Sequence, residues 1–478
     1  MLPVLEQQLL EVYNWGLPRR VCSHIDKNSL LSITLAHVLS SFREIGFEHR
    51  RIARGLLLVA VFSLVGKLVG AFKEIAIAYR FGMSEIVDVY VLAFTFAIWI
   101  PATASSVING IYIPLVHRLE KSEKDTFIRQ FAGLGFIVAG AITLFLLSTL
   151  PWLLDAMTGQ FSADIQLSLN ALALGFAPLA GMAFLAAMFS AMLLAEEKHA
   201  NTLFEVFPSL ALVALVLIWP IGNSIDPLLW GSLLGAALQA GGLYLLLVRS
   251  GMFKIPEFSF RSSGWARVKQ DIGIVLFGQF IMSFVEPISS VIAADLGPGN
   301  VAGLGYSNRL LALFLTLGAT TVSRAILPVL SKTQKDPVNQ IKLGIQWSAL
   351  MFFAGIILAT IAWIFTPQLV HLMLERGAFT ANDTAKVSEA IRFGVLQFPF
   401  FFSGIVLAQL FFSLRLYRII LASAVLAISV KVLCSLLLAP VYNFAGIIMA
   451  SVPMYAATNL LFITALWRSN RLKKRLVP

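Results

Sequence analysis

Apolar runs of 18 or more residues recur along this chain from about residue 54 to its end. A helix needs about 20 such residues to cross a hydrocarbon core some 30 Å thick. Read by length and by the loops between them, the runs give about twelve spans. They fall near 54–80, 86–116, 127–153, 165–194, 201–221, 226–248, 270–295, 301–330, 341–373, 384–413, 417–439 and 444–467. Charged residues make up 13% of the chain, against about 25% in a soluble domain, and the mean hydropathy is +0.83. The expectation is an all-α polytopic membrane protein.

The loops test that reading independently. Arg50, Arg51 and Arg54 precede the first span. Arg118, Lys121 and Lys124 follow the second, and Arg249, Lys254, Arg261, Arg267 and Lys269 follow the sixth. Lys332, Lys335 and Lys342 follow the eighth, and Arg415 and Arg418 the tenth. The chain closes on Arg468, Arg471, Lys473, Lys474 and Arg475. Most alternate loops hold no Lys or Arg; only the one with Arg376 and Lys386 departs, and it also carries Glu375 and Asp383. Basic residues gather in cytoplasmic loops, so both termini are expected in the cytoplasm and the span count is even. A missed or added pair of spans keeps the alternation, so ten or fourteen fit it too. The same rule accounts for the net charge of +11 without nucleic acid as a partner.

The longest internal loop, 251–269, reads as a cytoplasmic linker between two six-helix lobes, 51–250 and 270–478 with its basic tail. Short echoes support a repeat: Ile113-Pro114-Leu115-Val116 ends the second span and Leu327-Pro328-Val329-Leu330 the eighth. Paired halves with the site between them are a common transporter plan. Residues 1–50 are too polar to span and read as a cytoplasmic extension, either an interfacial helix or poorly ordered chain. Cys22 and Cys434 give neither a disulfide framework nor metal spacing.

Charges inside spans are costly and by default mark a pathway. The stretch Val59 to Arg80 carries Lys67, Lys73 and Glu74, with Lys67 and Glu74 two turns apart on one helical face. Lys73 and Glu74 could also simply neutralise each other. Glu286 stands before Pro287, which breaks a helix and frees a carbonyl, a setting that suits a cation or proton site. Arg309 sits less than halfway into the eighth span and Asp88 near the start of the second. Asp295, Arg392 and Lys431 lie within reach of an interface and read as snorkelling side chains or structural ion pairs, and Glu205 likewise. Gly66 and Gly70 form a small-xxx-small pair of the kind that packs helices closely. No nucleotide loop, zinc site or nucleophile–base pair is present, so no catalytic residue, metal or cofactor is expected. Transport would draw on an ion gradient, the membrane potential or the substrate's own gradient, with H+ or Na+ as a coupling ion.

The stretch Gly66-Lys67-Leu68-Val69-Gly70-Ala71-Phe72-Lys73-Glu74, then Phe81-Gly82 and Asp88, resembles the opening of the MurJ/MviN (mouse virulence factor) family. That family belongs to the multidrug/oligosaccharidyl-lipid/polysaccharide (MOP) superfamily of flippases. Tyr306-Ser307-Asn308-Arg309-Leu310 and Arg376-Gly377-Ala378-Phe379-Thr380 are similar to two more of its motifs. Lys67 and Lys73 stand where the family has arginines, Asn308 where it has Asp, and the neutral run Ile100 to Ser105 where it has a basic pair and an acid. Lysine keeps the charge but loses the planar fork that grips phosphate in two places.

The resemblance implies a MOP/MATE-like bundle around a central cavity, in a bacterial inner membrane. It implies alternating-access flipping of an undecaprenyl-diphosphate-linked saccharide among membrane lipids, with no covalent change and hence no enzyme activity. Lys67, Lys73 and Arg309 would hold the diphosphate; Glu74, Asp88 and Glu286 would balance charge or couple. The less cationic cavity favours an exopolysaccharide or O-antigen-like unit, with glycosyltransferases or a polymerase as pathway partners. The alternatives are lipid II for peptidoglycan synthesis, and an ion-coupled multidrug exporter of the same superfamily.

Overall fold

The computed structural model describes residues 65–157, 163–196, 201–220, 222, 224–259, 265, 273–332 and 337–476. All of them fall within one compact unit, Phe62–Pro478. The expected extension 1–50 and the start of the first expected span lie outside the described residues, as does most of the second half of the expected linker.

The described chain is helical throughout, with turns between. The first helix, α1, covers 65–81. It is followed by α2 (Glu85–Arg118), α3 (Lys121–Met157), α4 (Ala163–Ala195), the short α5 (Asn201–Phe204), α6 (Phe207–Ile218) and α7 (Asp226–Arg249). After the linker come α8 (Gly273–Ser283), α9 (Val285–Asp295), α10 (Asn300–Lys332), α11 (Pro337–Leu374), α12 (Ala381–Val395), α13 (Phe398–Ser413), α14 (Tyr417–Met449) and α15 (Ser451–Leu476). Each of the twelve expected spans coincides with one helix, with a broken pair, or with a part of α14 and α15. Among the described residues seven stretches, namely α2, α3, α4, α7, α8 together with α9, α11 and α14, are long and apolar enough to cross a membrane by length and composition. The bent pair α12–α13, with 42° between its halves, makes an eighth.

Local chemistry explains the breaks. Pro208, Pro227 and Pro399 stand in the first turns of α6, α7 and α13, where a missing N–H costs nothing. Thr380 and Asp383 cap α12 reciprocally, side chain to backbone in both directions. The seventh expected span breaks at Phe284, between α8 and α9, two residues before Glu286 and its proline. Inside α14, Asn443 takes φ 51° and ψ −142°, three residues after Pro440, so the chain kinks there before its last turn.

Packing divides the helices into two lobes. In the first, α4 packs on α2, α3 and α7, and α6 on α7. In the second, α11 packs on α13, α14 on α8 and α15, and α10 on α12 and α13. The lobes meet where α2 lies against α8, α9 and α10. Large apolar side chains such as Leu144, Phe145, Trp152, Phe353, Ile357 and Leu437 face outward. A bilayer solvates such a surface as readily as a core does.

Candidate functional site

One face of α1 looks outward through Leu68, Phe72 and Tyr79. The 3.6-residue period then turns Lys67, Gly70, Ala71 and Glu74 toward the second lobe. There they line a pocket of about 260 Å³ with Lys73, Tyr306, Arg309 and Leu374. Among the described residues a Cβ on Gly70 would meet nothing within 4 Å, so this glycine widens the pocket. Gly66, expected as its packing partner, has only the tip of Val206 nearby, at 3.8 Å.

Glu74 is the hub. Its carboxylate takes Lys73 Nζ at 3.0 Å on one oxygen and the guanidinium of Arg309, from 235 positions along the chain, on the other. Glu74 is 8% exposed. The pairing of Lys73 with Glu74 weighed from the sequence therefore exists, but it is shared with a second cation. Among the described residues no carboxylate pairs with Lys67, so three cations face one carboxylate in this pocket. Arg309 spends one donor group on Glu74 and keeps the rest of its five N–H donors for whatever enters.

Lys73 and Arg309 also line the larger cavity between the lobes, about 650 Å³. Its walls include Trp99 and Thr103 from α2, Glu286 from α9, Asn308 from α10, Lys431 from α14 and Ser451 from α15. Glu286 is exposed to this cavity and forms no ion pair among the described residues. The stretch of α2 that lacks the family's charges contributes only the neutral side chains Ala102 and Thr103 here. Lys67 and Arg309 border the same 260 Å³ pocket, and of the two Arg309 also lines the larger cavity.

Asp88 is placed differently from the charge-balancing role expected of it. It is fully buried and accepts the backbone N–H groups of Gly299 and of Ala302 (2.6 Å), at the start of α10. A carboxylate there meets the unpaired N–H groups and positive end of a helix. Asp88 therefore caps α10 from across the lobe boundary rather than facing the cavity cations.

Further cross-lobe contacts gather at the same end of the bundle. Tyr306 donates its hydroxyl to the Gly82 carbonyl at 3.0 Å, and the Ala378 N–H reaches the Tyr79 carbonyl at 2.8 Å. Gly82 and Gly377 both have positive φ, 57° and 61°. A Cβ on Gly377 would stand 2.2 Å from the Tyr79 oxygen, and one on Gly82 2.4 Å from that of Ala378. Arg80 ties the same end of α1 to its own lobe, donating to the carbonyls of Val216 (2.6 Å) in the last turn of α6 and of Trp219 (3.0 Å) at its C-cap.

Lys431 corrects a second expectation. It does not snorkel: it is 5% exposed, and its ammonium donates to the Ile447 carbonyl and to Ser451 Oγ. Counting would have found it, since the nearer end of its expected span lies eight residues away, about 12 Å along the axis. Arg392, by contrast, lies at the surface, where it stacks over Trp363 and reaches its carbonyl.

A family model described as Lipid II flippase MurJ matches residues 77–477. The chain belongs to that family. It is similar to proteins named "Probable lipid II flippase MurJ" from two bacteria in particular. One, from Rhizobium tropici, is 25% identical over 81% of this chain and 76% of the relative. The other, from Synechocystis, is 24% identical over 89% of this chain and 83% of the relative. Among solved structures, a lipid II flippase MurJ in an inward closed conformation superposes with a TM-score of 0.72. It is 17% identical and covers 86% of this chain and 87% of its own. An inward-facing multidrug MATE transporter of the MOP superfamily reaches 0.66 at 15% identity, over 86% of this chain and 96% of its own. The fold is thus of the MOP type, and the chain is a multi-pass bacterial inner-membrane protein of a flippase family rather than an enzyme. Asp88, Glu286 and Arg309 lie in the matched stretch, while Lys67, Lys73 and Glu74 precede it.

Proposed function

We propose that this chain flips lipid II, the diphosphate-linked peptidoglycan precursor, between the leaflets of the inner membrane. This reverses the order expected from the sequence, where the missing arginines favoured an exopolysaccharide or O-antigen-like unit. The relatives named above are described as probable lipid II flippases, and nothing among them supports the exopolysaccharide reading. The observation that carries the proposal is the pocket in which Lys67, Lys73 and Arg309 face the single carboxylate of Glu74. Its surplus of positive charge suits a diphosphate, which lysine binds as a point charge and arginine through its fork. A cavity for cationic drugs would carry the opposite surplus.

Glu74 fixes Arg309 and Lys73 so that their remaining donors face the lobe boundary. The head group crosses within the 650 Å³ cavity while the polyprenyl tail stays in lipid. With both termini cytoplasmic, the end closed by Asp88, Tyr306 and the turn at Gly377 is the outer one. The arrangement then awaits a head group from the cytoplasmic side.

Complementation tests the substrate. The chain should restore growth to a strain depleted of its own lipid II flippase. Lys73→Met, Arg309→Met and Lys67→Met should each lower lipid II translocation in proteoliposomes at least about tenfold, the worth of one charge-assisted contact. Wild-type protein that moves a different lipid-linked saccharide and leaves lipid II in place would overturn the assignment.

A further inference from the structure

The flipping scheme leaves one buried charge unused. Lys431 lies in the wall of the central cavity, in the second lobe, beside the break in α14. Pro440 and the left-handed Asn443 interrupt that helix, which resumes for a short segment ending at Met449. Ile447 belongs to this last turn, where carbonyls lack partners within their own helix and carry the negative end of its dipole. Ser451 opens α15 directly afterwards. The Lys431 ammonium sits on the Ile447 carbonyl and, at 2.8 Å, on Ser451 Oγ. Both Lys431 and Ser451 border the cavity, so the position is reached from it.

No carboxylate pairs with Lys431 among the described residues. The other ionisable side chains on the same cavity are Lys73, Glu286, Arg309 and Tyr455, and Cys434 stands one turn along the same helix. An ammonium held only by a carbonyl and a hydroxyl oxygen is an unusual use of lysine. Those ligands, at a broken helix facing a central cavity, are what secondary transporters present to a monovalent coupling cation. An ammonium and such an ion ask for the same surroundings: oxygen atoms at close range and no competing donor.

We propose that Lys431 is a built-in cation. Its ammonium fills, on a covalent tether, a position shaped for a monovalent metal ion. The second lobe therefore takes up no Na+ at this point. The ammonium also pins the corner between α14 and α15, as a bound ion would. The proposal goes beyond the choice of substrate and does not depend on it.

The test is thermal unfolding of the purified full-length protein in NaCl and in choline chloride at equal ionic strength. Wild type should melt at the same temperature in both. Lys431→Ser, which leaves the oxygens and empties the space, should melt lower in choline and recover with Na+ by about 2 °C or more, saturably. The proposal is overturned if Na+ specifically stabilises the wild type, or if Lys431→Ser folds and melts alike in the two salts. Should that variant not fold, the wild type still decides. In proteoliposomes, replacing Na+ by choline on both sides should leave its flipping rate unchanged within about twofold, and a loss of about tenfold or more would refute the idea. The melting comparison uses no lipid substrate, so it stands even if the lipid II assignment fails.

Discussion

Replacing Asp88 by alanine should open the end of the bundle that the lobe contacts now close. The carboxylate comes from α2 in the first lobe, and the two N–H groups it accepts, of Gly299 and Ala302, open α10 in the second. The cap therefore exists only while the lobes meet. Hydrogen bonds to a charged group contribute about 1.5–3 kcal/mol each, so the lower value for two gives about 3 kcal/mol. In the open state those N–H groups find water, and the loss falls almost wholly on the closed state. A bias of 3 kcal/mol moves the closed-to-open ratio by a factor on the order of 100. Val91 reports the change: it is buried on α2 and faces Gly305 of α10, where an added Cβ would lie 3.5 Å from its side chain. With Cys22 and Cys434 replaced by serine, a cysteine introduced at Val91 should resist a membrane-impermeant thiol reagent applied outside the cell. Adding Asp88→Ala should make it react far faster. Labelling at the parental rate in a protein that still folds would show that the cap does not hold the lobes together.

Two further substitutions probe the same architecture. Glu74→Gln leaves Lys73 and Arg309 without their shared carboxylate and should cost about 3–5 kcal/mol, seen as a lower melting temperature. The double variant Glu74→Gln, Arg309→Gln should recover part of that loss, and equal melting of Glu74→Gln and wild type would contradict the hub role. Gly377→Ala drives a Cβ to 2.2 Å from the Tyr79 carbonyl at a positive φ. It should strain the turn by about 1–3 kcal/mol and expose the Val91 reporter as well, whereas Ala349→Gly on α11, beside Phe353 and Leu460, should leave the reporter protected.

Much of the fold was legible before any coordinates. Hydropathy sets the spans because the hydrocarbon core demands a fixed length of apolar helix, and basic residues mark alternate loops because crossing is costly for them. The period of 3.6 also placed Lys67 and Glu74 on one face of α1, and Pro287 signalled the break beside Glu286. Motif likeness pointed to the family that the chain proved to belong to. The same likeness, read through its missing arginines, favoured an exopolysaccharide or O-antigen-like unit, a reading the family comparison does not support.

What no linear reading could supply is partnership. Periodicity says which side of a helix is inward but not what faces it. That Arg309 should find Glu74, and Asp88 the head of α10, follows only from how one lobe lies against the other. Lys431 shows the same division within a single lobe. Its depth could be counted from the end of its span, but its partners could not, because they exist only once α14 kinks at Asn443 and returns Ile447 and Ser451 to its side chain. The amino-acid order determined where the long apolar helices fall and which faces they hide. The tertiary arrangement alone decided which buried charges meet, since that depends on contacts hundreds of residues apart.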